Sequence, residues 1–242
     1  MMFFIDASMV GHLGAEASAS IGIVETSTWL FGSMTTAASM GFSVQVAHFI
    51  GANDFQRARD VFRHALIATT ILSLLLLIIG VAIAFPLPYW LGGGADIARD
   101  ASLYFLIFAL TGPFFQLANL SGAMLKCSGN MRIPSFMSVM MCVFDVLFNY
   151  LFIYVVGWGV TGAAIGTGLA ILLGALAQAY FAIFRSSLLR LFKDKERFVW
   201  TPSYVKNAIR IGAPMGLQSA LMGSAQVVST TIVAPLGNGS IA

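Results

Sequence analysis

Long apolar runs separated by short polar segments make up most of this 242-residue sequence. A hydrocarbon core about 30 Å thick is crossed by roughly 20 apolar residues in an α-helix. The opening segment, residues 1–13, is apolar but too short to cross. Six longer runs predict membrane-spanning helices, the last with an amphipathic start, and they lie at residues 23–49, 61–85, 101–124, 135–156, 161–184 and 207–234.

The composition agrees with a membrane protein. Apolar residues make up 58% of the chain and charged residues 10%, against about 25% charged residues in soluble domains. These values exclude a disordered chain, a coiled coil and nearly every soluble domain. A balance of 13 basic to 10 acidic residues argues against a nucleic-acid binder. Continuous apolar runs also disfavour a membrane β-barrel, so the predicted fold class is an all-α polytopic membrane helical bundle.

The basic residues predict the orientation in the membrane. Of the 13 basic residues, all except Arg99 lie in alternate connecting segments or within four residues of their ends. Because cytoplasmic loops carry the excess of Lys and Arg, residues 51–60, 126–134 and 185–206 are predicted to face the cytoplasm. The segment Gly157-Trp158-Gly159 is then an outer turn, since its glycines interrupt the apolar pattern.

Two short segments near the ends of the chain resemble each other. Residues 6–19 and 229–242 align with Leu and Gly at matching positions. Two related halves are a common plan among secondary transporters, so residues 229–242 would belong to the first helix of a second half. That helix extends back at least to Arg210, whereas only five residues precede Asp6. We therefore expect a fragment with a truncated first helix and a barely started second half.

Five segments, in this order along the chain, carry a family resemblance. They read DASMVGHLG, GANDFQRAR, LKCSGNMRIP, GVTGAAIGT and RIGAP, and they occupy Asp6–Gly14, Gly51–Arg59, Leu125–Pro134, Gly159–Thr167 and Arg210–Pro214. Together they span nearly the whole chain. The ordered set resembles the multidrug and toxic compound extrusion (MATE) family of cation-coupled efflux antiporters.

The resemblance implies twelve helices in two six-helix lobes. Residues 1–200 would form the amino-terminal lobe, and residues 201–242 the first helix of the other lobe. It also implies export of organic cations or amphipathic drugs by alternating access, driven by inward Na⁺ or H⁺, in a bacterial-type inner (plasma) membrane. Implied partners are the drug, the lipid bilayer and the remaining half of the transporter, with no nucleic acid and no cofactor beyond the coupling ion. Flippases for lipid-linked oligosaccharides share the superfamily plan, so that substrate class stays open.

Three acidic residues lie in apolar segments, namely Asp6, Glu25 and Asp145. An ionisable group at membrane depth costs about 2.5–3.5 kcal/mol on insertion scales and is a candidate for function. Asn149 follows Asp145 by four residues, so both side chains share one helical face. Their oxygens suit Na⁺, or the buried carboxyl can carry a proton instead. The alternative is a structural hydrogen bond between helices.

The resemblance adds two residues to this pair. In some MATE transporters a first-helix Asp, a fifth-helix Asn and Asp four apart and a sixth-helix Thr form a cation site. These positions fall on Asp6, Asp145, Asn149 and Thr167, which are the predicted ligands of a coupling Na⁺. The order on the fifth helix is exchanged here, because Asp145 precedes Asn149. The alternatives are an exposed terminus for Asp6 and a packing role for Thr167.

Further polar residues in the apolar runs predict either a substrate cavity or hydrogen bonds between helices. They are Gln45, Gln116, Asn119, Gln178 and Glu25. Glu25 also suits the first turn of a helix, where the helix dipole favours an acid. The series Gly162, Gly166 and Gly168 predicts close approach of two helices.

The sequence predicts no enzyme. The motifs HExxH, GxSxG and GxxxxGK[ST] are absent from it, so neither an intramembrane hydrolase nor an ATP-driven pump is supported. A non-transporting membrane module, such as a channel subunit, is the remaining rival. A channel predicts polar rings from several subunits, whereas the sequence has single, asymmetrically placed acids, which favour an antiporter.

Overall fold

The computed structural model describes residues 9–12, 14–90, 95–186, 188–191 and 199–233. Every regular element within these residues is helical, which confirms the predicted all-α class. The six long helices are α1 (Ala15–Gly51), α2 (Phe55–Ile83), α3 (Ala95–Cys127), α4 (Arg132–Asn149), α5 (Gly159–Tyr180) and α6 (Pro202–Val233). A single helical turn, Leu87–Trp90, follows α2, and residues 9–11 are also helical.

Two of these helices continue into a wider π-helical turn. Tyr150–Val155 extends α4 and Phe181–Arg185 extends α5. Such turns are rare and occur often near functional sites. The first of them begins directly after Asn149, so the predicted polar residue lies at the change of helix type.

Four helices in the described part of the chain are long and apolar enough to cross a membrane. They are Phe55–Ile83, Ala98–Cys127, Arg132–Val155 and Gly159–Arg185. The helices α1 and α6 are also long enough but are not among these four, and α1 carries ten serines and threonines. The spans predicted at residues 23–49 and 207–234 form helices over their described residues, and their crossing of the membrane stays a prediction.

The turns predicted to face the cytoplasm are closed by short polar side chains and a glycine. The Asp54 carboxylate accepts a hydrogen bond from the backbone N–H of Arg57 at 3.1 Å, which caps the start of α2. The Asn130 side chain accepts one from the N–H of Ile133 at 3.2 Å, at the start of α4. Between α3 and α4, Gly129 has φ 79°, a conformation that only glycine adopts freely.

The turn predicted at residues 157–159 is confirmed, and its outer placement stays a prediction. Gly157 and Gly159 have φ 79° and 54°. The backbone N–H of Trp158 donates to the carbonyl of Phe152 at 3.0 Å, and the two rings stack with centroids 5.6 Å apart. The π turn after α4 and the start of α5 are thereby held together.

In the bundle, α1 packs against α2, α3 and α6, and α5 packs against α3 and α4. Two clusters of buried apolar side chains hold these helices together. One cluster lies toward the predicted cytoplasmic ends and includes Phe42, Val46, Phe62, Leu120, Met124 and Leu189. The other lies toward the predicted outer ends and includes Val10, Val24, Tyr104, Phe105, Ile153 and Val160. The polar site described next lies on α4 and α5.

Candidate functional site

The helix α4 places Asp145 and Asn149 side by side. Both residues are completely buried, as expected for positions four residues apart on the inward face. The opposite face carries exposed apolar residues, among them Val143 and Leu147, and is suited to contact lipid. The helix thus directs its carboxylate and its amide into the bundle.

Thr167 of α5 completes a cluster across the helix pair. Its hydroxyl donates to Oδ1 of Asp145 at 2.8 Å, and the amide Nδ2 of Asn149 donates to the same oxygen at 3.3 Å. The other carboxylate oxygen, Oδ2 of Asp145, is buried and has no hydrogen-bond partner in the described part of the chain. A buried carboxylate oxygen without a donor is costly, so it offers a position for a bound cation or proton.

The close approach that builds this cluster depends on glycine. A Cβ at Gly166 would overlap the amide oxygen of Asn149 and lie 2.9 Å from its backbone nitrogen. One turn earlier, a Cβ at Gly162 would lie 2.7 Å from the carbonyl oxygen of Phe152. The glycine series therefore does what the sequence predicted, because Gly162 and Gly166 bring α5 against α4 and Gly168 brings it against Thr111 of α3. The specific contact of Gly166 with Asn149 was not predicted.

A small cavity adjoins the cluster between α3 and α5. Its volume is about 40 Å³, which is room for a few water molecules. Thr167 lines it together with Tyr104, Phe108, Thr111, Phe115, Ala164, Gly168 and Ile171. Thr167 therefore both lines the cavity and donates to the carboxylate of Asp145.

Of the four predicted ligands, the structure brings three together. The fourth, Asp6, lies outside the described residues. The chain just after it is helical at residues 9–11, Val10 is buried in the outer cluster, and Tyr154 donates its hydroxyl hydrogen to the carbonyl of Met9 at 3.0 Å. The end of the first segment thus contacts the π turn that follows α4.

The residues predicted to line a substrate cavity have separate partners. Gln45 donates to the carbonyl oxygens of Gly41 and Tyr204, both at 3.1 Å. Gln116 donates to the hydroxyl of Ser39 at 2.9 Å. These bonds join α1 to α6 and α3 to α1, and they agree with the interpretation of amides as contacts between helices.

Three members of the predicted cavity differ in burial. Gln178 is buried and its amide lies 3.8 Å from the sulfur of Met141. Asn119 has a buried Nδ2 without a hydrogen-bond partner among the described residues. Glu25 is exposed and lies well inside α1, which begins at Ala15. The interpretation of Glu25 as an acid of the first helical turn is therefore wrong, because α1 starts earlier than the apolar run.

The donor set of the cluster limits its chemistry. It supplies one carboxylate, one amide and one hydroxyl, which are hard oxygen ligands suited to alkali or alkaline-earth cations. Within the described residues no group of three or more His, Cys, Asp or Glu could hold a metal ion. The cluster fits a Na⁺ ion or a proton better than a transition metal.

A multi-pass helical bundle with a carboxylate buried between its helices is typical of membrane transporters. The MatE family model matches residues 1–151 of the chain. The chain belongs to the MatE family, whose fold is that of transporters.

Two curated relatives resemble the chain over nearly all of its length. It is 22% identical to the probable multidrug resistance protein NorM of Thermotoga maritima, over 94% of this chain and 49% of that protein. It is also 22% identical to the FAD transporter of Shewanella oneidensis, over 98% of this chain and 53% of that protein. The chain thus spans about half the length of these relatives.

Two solved structures show the same fold. An inward-facing MATE family transporter of the MOP superfamily superposes with a TM-score of 0.86 at 23% identity, over 93% of this chain and 51% of that one. An outward-facing MATE transporter superposes with a TM-score of 0.90 at 24% identity, over 99% and 53%.

Proposed function

We propose that this chain carries the cation-coupling site of an antiporter that exports organic cations or amphipathic drugs across a bacterial-type plasma membrane. One observation supports the proposal above all others. Asp145, completely buried, accepts two hydrogen bonds on Oδ1 while Oδ2 has no donor among the described residues. A negative charge in that position is stabilised most by a positive ion.

The coupling ion is Na⁺ or H⁺, and the same residues serve either. A Na⁺ ion would be held by carboxylate, amide and hydroxyl oxygens of Asp145, Asn149 and Thr167, with Asp6 as the predicted fourth ligand. A proton would bind Asp145 itself and remove the buried charge. In both cases Thr167 orients the carboxylate, since its hydroxyl donates to Oδ1 at 2.8 Å.

Coupling follows from a difference in affinity between two conformations. A bound cation shifts the equilibrium toward an outward- or inward-facing state only if it binds one of them more tightly. A complete reversal of populations from 1:99 to 99:1 needs about 5.5 kcal/mol of difference in binding. The exported compound drives the opposite shift, so that ion entry and drug exit alternate.

The alternative of a lipid-linked oligosaccharide flippase has less support. An anionic pyrophosphate-linked substrate needs a cationic cavity, whereas the charged residue buried midway along the α4–α5 pair is a carboxylate. A cation is the complementary ligand for that charge.

Equilibrium binding tests the proposal directly. The chain is reconstituted in nanodiscs and titrated with radioactive Na⁺ and, separately, with acid while proton uptake is recorded. We expect either saturable Na⁺ binding or uptake of one proton, and we expect Asp145→Asn to abolish it. Asp100→Asn, which changes an exposed acid at the start of α3, is the matched control. Cation binding that persists in Asp145→Asn would contradict the proposal.

Transport is tested in proteoliposomes with a transporter that contains this sequence. An imposed Na⁺ or proton gradient should accelerate efflux of a fluorescent organic cation. The gradient dependence identifies the coupling ion. Equal efflux by the parent and Asp145→Asn proteins would remove Asp145 from the mechanism.

A further inference from the structure

A second buried polar cluster lies at the predicted cytoplasmic ends of α1 and α2. We call it the linker latch and define it as Gln45, Arg59, Arg63 and His64. All four side chains contact backbone atoms of the segment that leads from α5 into α6 or of its first turn. The latch is separate from the Asp145 cluster.

His64 is the central member and is 1% exposed. Its Nδ1 lies 2.7 Å from the carbonyl oxygen of Asp60, and its Nε2 lies 2.8 Å from the backbone nitrogen of Thr201. A carbonyl can only accept and a backbone N–H can only donate. Nε2 therefore accepts a hydrogen bond from the N–H of Thr201, and Nδ1 donates one to the carbonyl of Asp60.

Two aromatic rings enclose the His64 imidazole. The ring of Trp200 lies 4.9 Å away between centroids, and the ring of Tyr204 lies 5.2 Å away. Both come from the same stretch of chain as Thr201. The imidazole thus contacts three residues around the start of α6.

Two arginines of α2 hold the chain that follows α5. Nη1 of Arg59 donates to the carbonyl of Leu188 at 3.2 Å, and Nη2 of Arg63 donates to the carbonyl of Leu191 at 2.7 Å. Arg63 also pairs with Asp60 at 3.2 Å. Hydrogen bonds from charged donors to backbone carbonyls are stronger than neutral ones.

The seam between α1 and α6 begins next to the latch. Gln45 donates to the carbonyl of Tyr204 at 3.1 Å. A Cβ at Gly41 would overlap the carbonyl of Ala208, and a Cβ at Gly212 would lie 2.7 Å from the carbonyl oxygen of Ala37. The first turns of α6 therefore lie backbone to backbone on α1, an arrangement that depends on the position at which α6 starts.

We propose that the linker latch sets the position at which α6 starts and keeps the cytoplasmic α1–α6 seam closed, with His64 as the positioning residue. His64 acts through the N–H of Thr201, and the two arginines fix the chain that precedes it. The role in transport rests on the proposed function, because an alternating-access cycle requires this seam to hold in one of its states. The structural role does not depend on it.

Hydrogen–deuterium exchange of the chain in nanodiscs tests the latch. His64→Phe keeps a ring between Trp200 and Tyr204 but removes both nitrogens, so the amide of Thr201 should exchange about tenfold faster than in the parent chain. His64→Gln keeps an acceptor and should restore most of the protection. His48→Phe is the matched control, since His48 is exposed on α1. An unchanged exchange rate in His64→Phe would overturn the proposal.

Arg63→Met provides a second variant that does not depend on the folding of His64→Phe. Its side chain retains the aliphatic stem and loses the donor to Leu191, so exchange should rise in residues 199–205. Arg57→Met, at a side chain that is 64% exposed, should leave exchange unchanged. Equal exchange in both arginine variants would contradict the latch.

A distance measurement reports the seam itself. Spin labels at Val44 and Ile209, both exposed, should give a narrow distance distribution in the parent chain and a broader one in His64→Phe. An equally narrow distribution in both would overturn the role of His64 in the seam. Cation binding is measured on the same samples and should be unchanged in His64→Phe. The two measurements thereby distinguish failure of the latch proposal from failure of the proposed cation site.

Discussion

The Asp145 cluster and the linker latch bury polar groups in the same bundle but satisfy them differently. In the latch both nitrogens of His64 bind backbone groups. In the Asp145 cluster two side chains donate to one carboxylate oxygen, and the other has no donor among the described residues. The comparison distinguishes an imidazole whose two nitrogens are both bonded from a carboxylate that still has an oxygen available to a cation.

The largest effect should come from filling the space that brings α5 to α4. Gly166→Leu places atoms on the amide of Asn149, and we expect it to lower the free energy of unfolding by about 3 kcal/mol. Gly112→Ala, where an added Cβ meets nothing within 4 Å, should be neutral or slightly stabilising. Unfolding in SDS measures both. Equal stability of the two variants would show that the α4–α5 contact is loose.

Removal of the coupling cation should affect the Asp145 cluster and leave the linker latch unchanged. If Na⁺ binds at Asp145, a concentration one hundred times its dissociation constant stabilises the parent chain by about 2.7 kcal/mol. Asp145→Asn should show no such gain. His64→Phe should keep it in full, because the latch does not contact the site. Thermal unfolding with and without Na⁺ measures this, with choline as the control cation, and a gain in Asp145→Asn would place the ion elsewhere.

A smaller effect is expected from the hydroxyl that orients the carboxylate. Thr167→Val removes the donor to Oδ1 of Asp145 and keeps the shape, so stability should fall by about 1.5 kcal/mol. Thr167→Ser retains the hydroxyl and should recover most of the loss. Cation affinity should follow the same order. If the valine and serine variants are equally stable, the 2.8 Å hydrogen bond does not contribute to stability.

The smallest effect is expected at Gln116, which joins α3 to Ser39 of α1. Hydrogen bonds between membrane helices average about 0.6 kcal/mol, so Gln116→Leu should change stability by no more than that. Drug efflux should be unaffected if Gln116 only joins helices. Reduced efflux with unchanged stability would support the predicted substrate cavity instead.

Much of the fold and one part of the site follow from local sequence patterns. Apolar runs locate the helices, and a spacing of four residues puts Asp145 and Asn149 on one face. Thr167 came from the family resemblance, since nothing local connects it to a residue 22 positions away. The start of α1 at Ala15 does not follow from the apolar pattern, because a polar stretch precedes the apolar run. The serines of that stretch bond to carbonyls of their own helix, such as Ser20 to Ala17 at 2.7 Å.

The latch could not be predicted from the sequence. His64 and Thr201 are 137 positions apart, and a lone histidine in a basic segment gives no sign of its partner. The sequence assigns the arginines nearby to the orientation in the membrane and Arg59 also to a segment that resembles the family. These arginines donate to backbone carbonyls, which every residue has. No side-chain pattern in the sequence therefore identifies the residue that accepts the hydrogen bond.

The π turn after Asn149 allows the predicted outer end of this bundle to vary independently of its interior. A π turn holds more residues than an α turn, so deleting one residue between 150 and 155 would convert it into regular helix and redirect the side chains within the turn. Tyr154, which bonds to Met9, would then face elsewhere, while Asp145 would keep its direction. Insertions and deletions at this point should therefore be the mildest length changes the fourth helix tolerates.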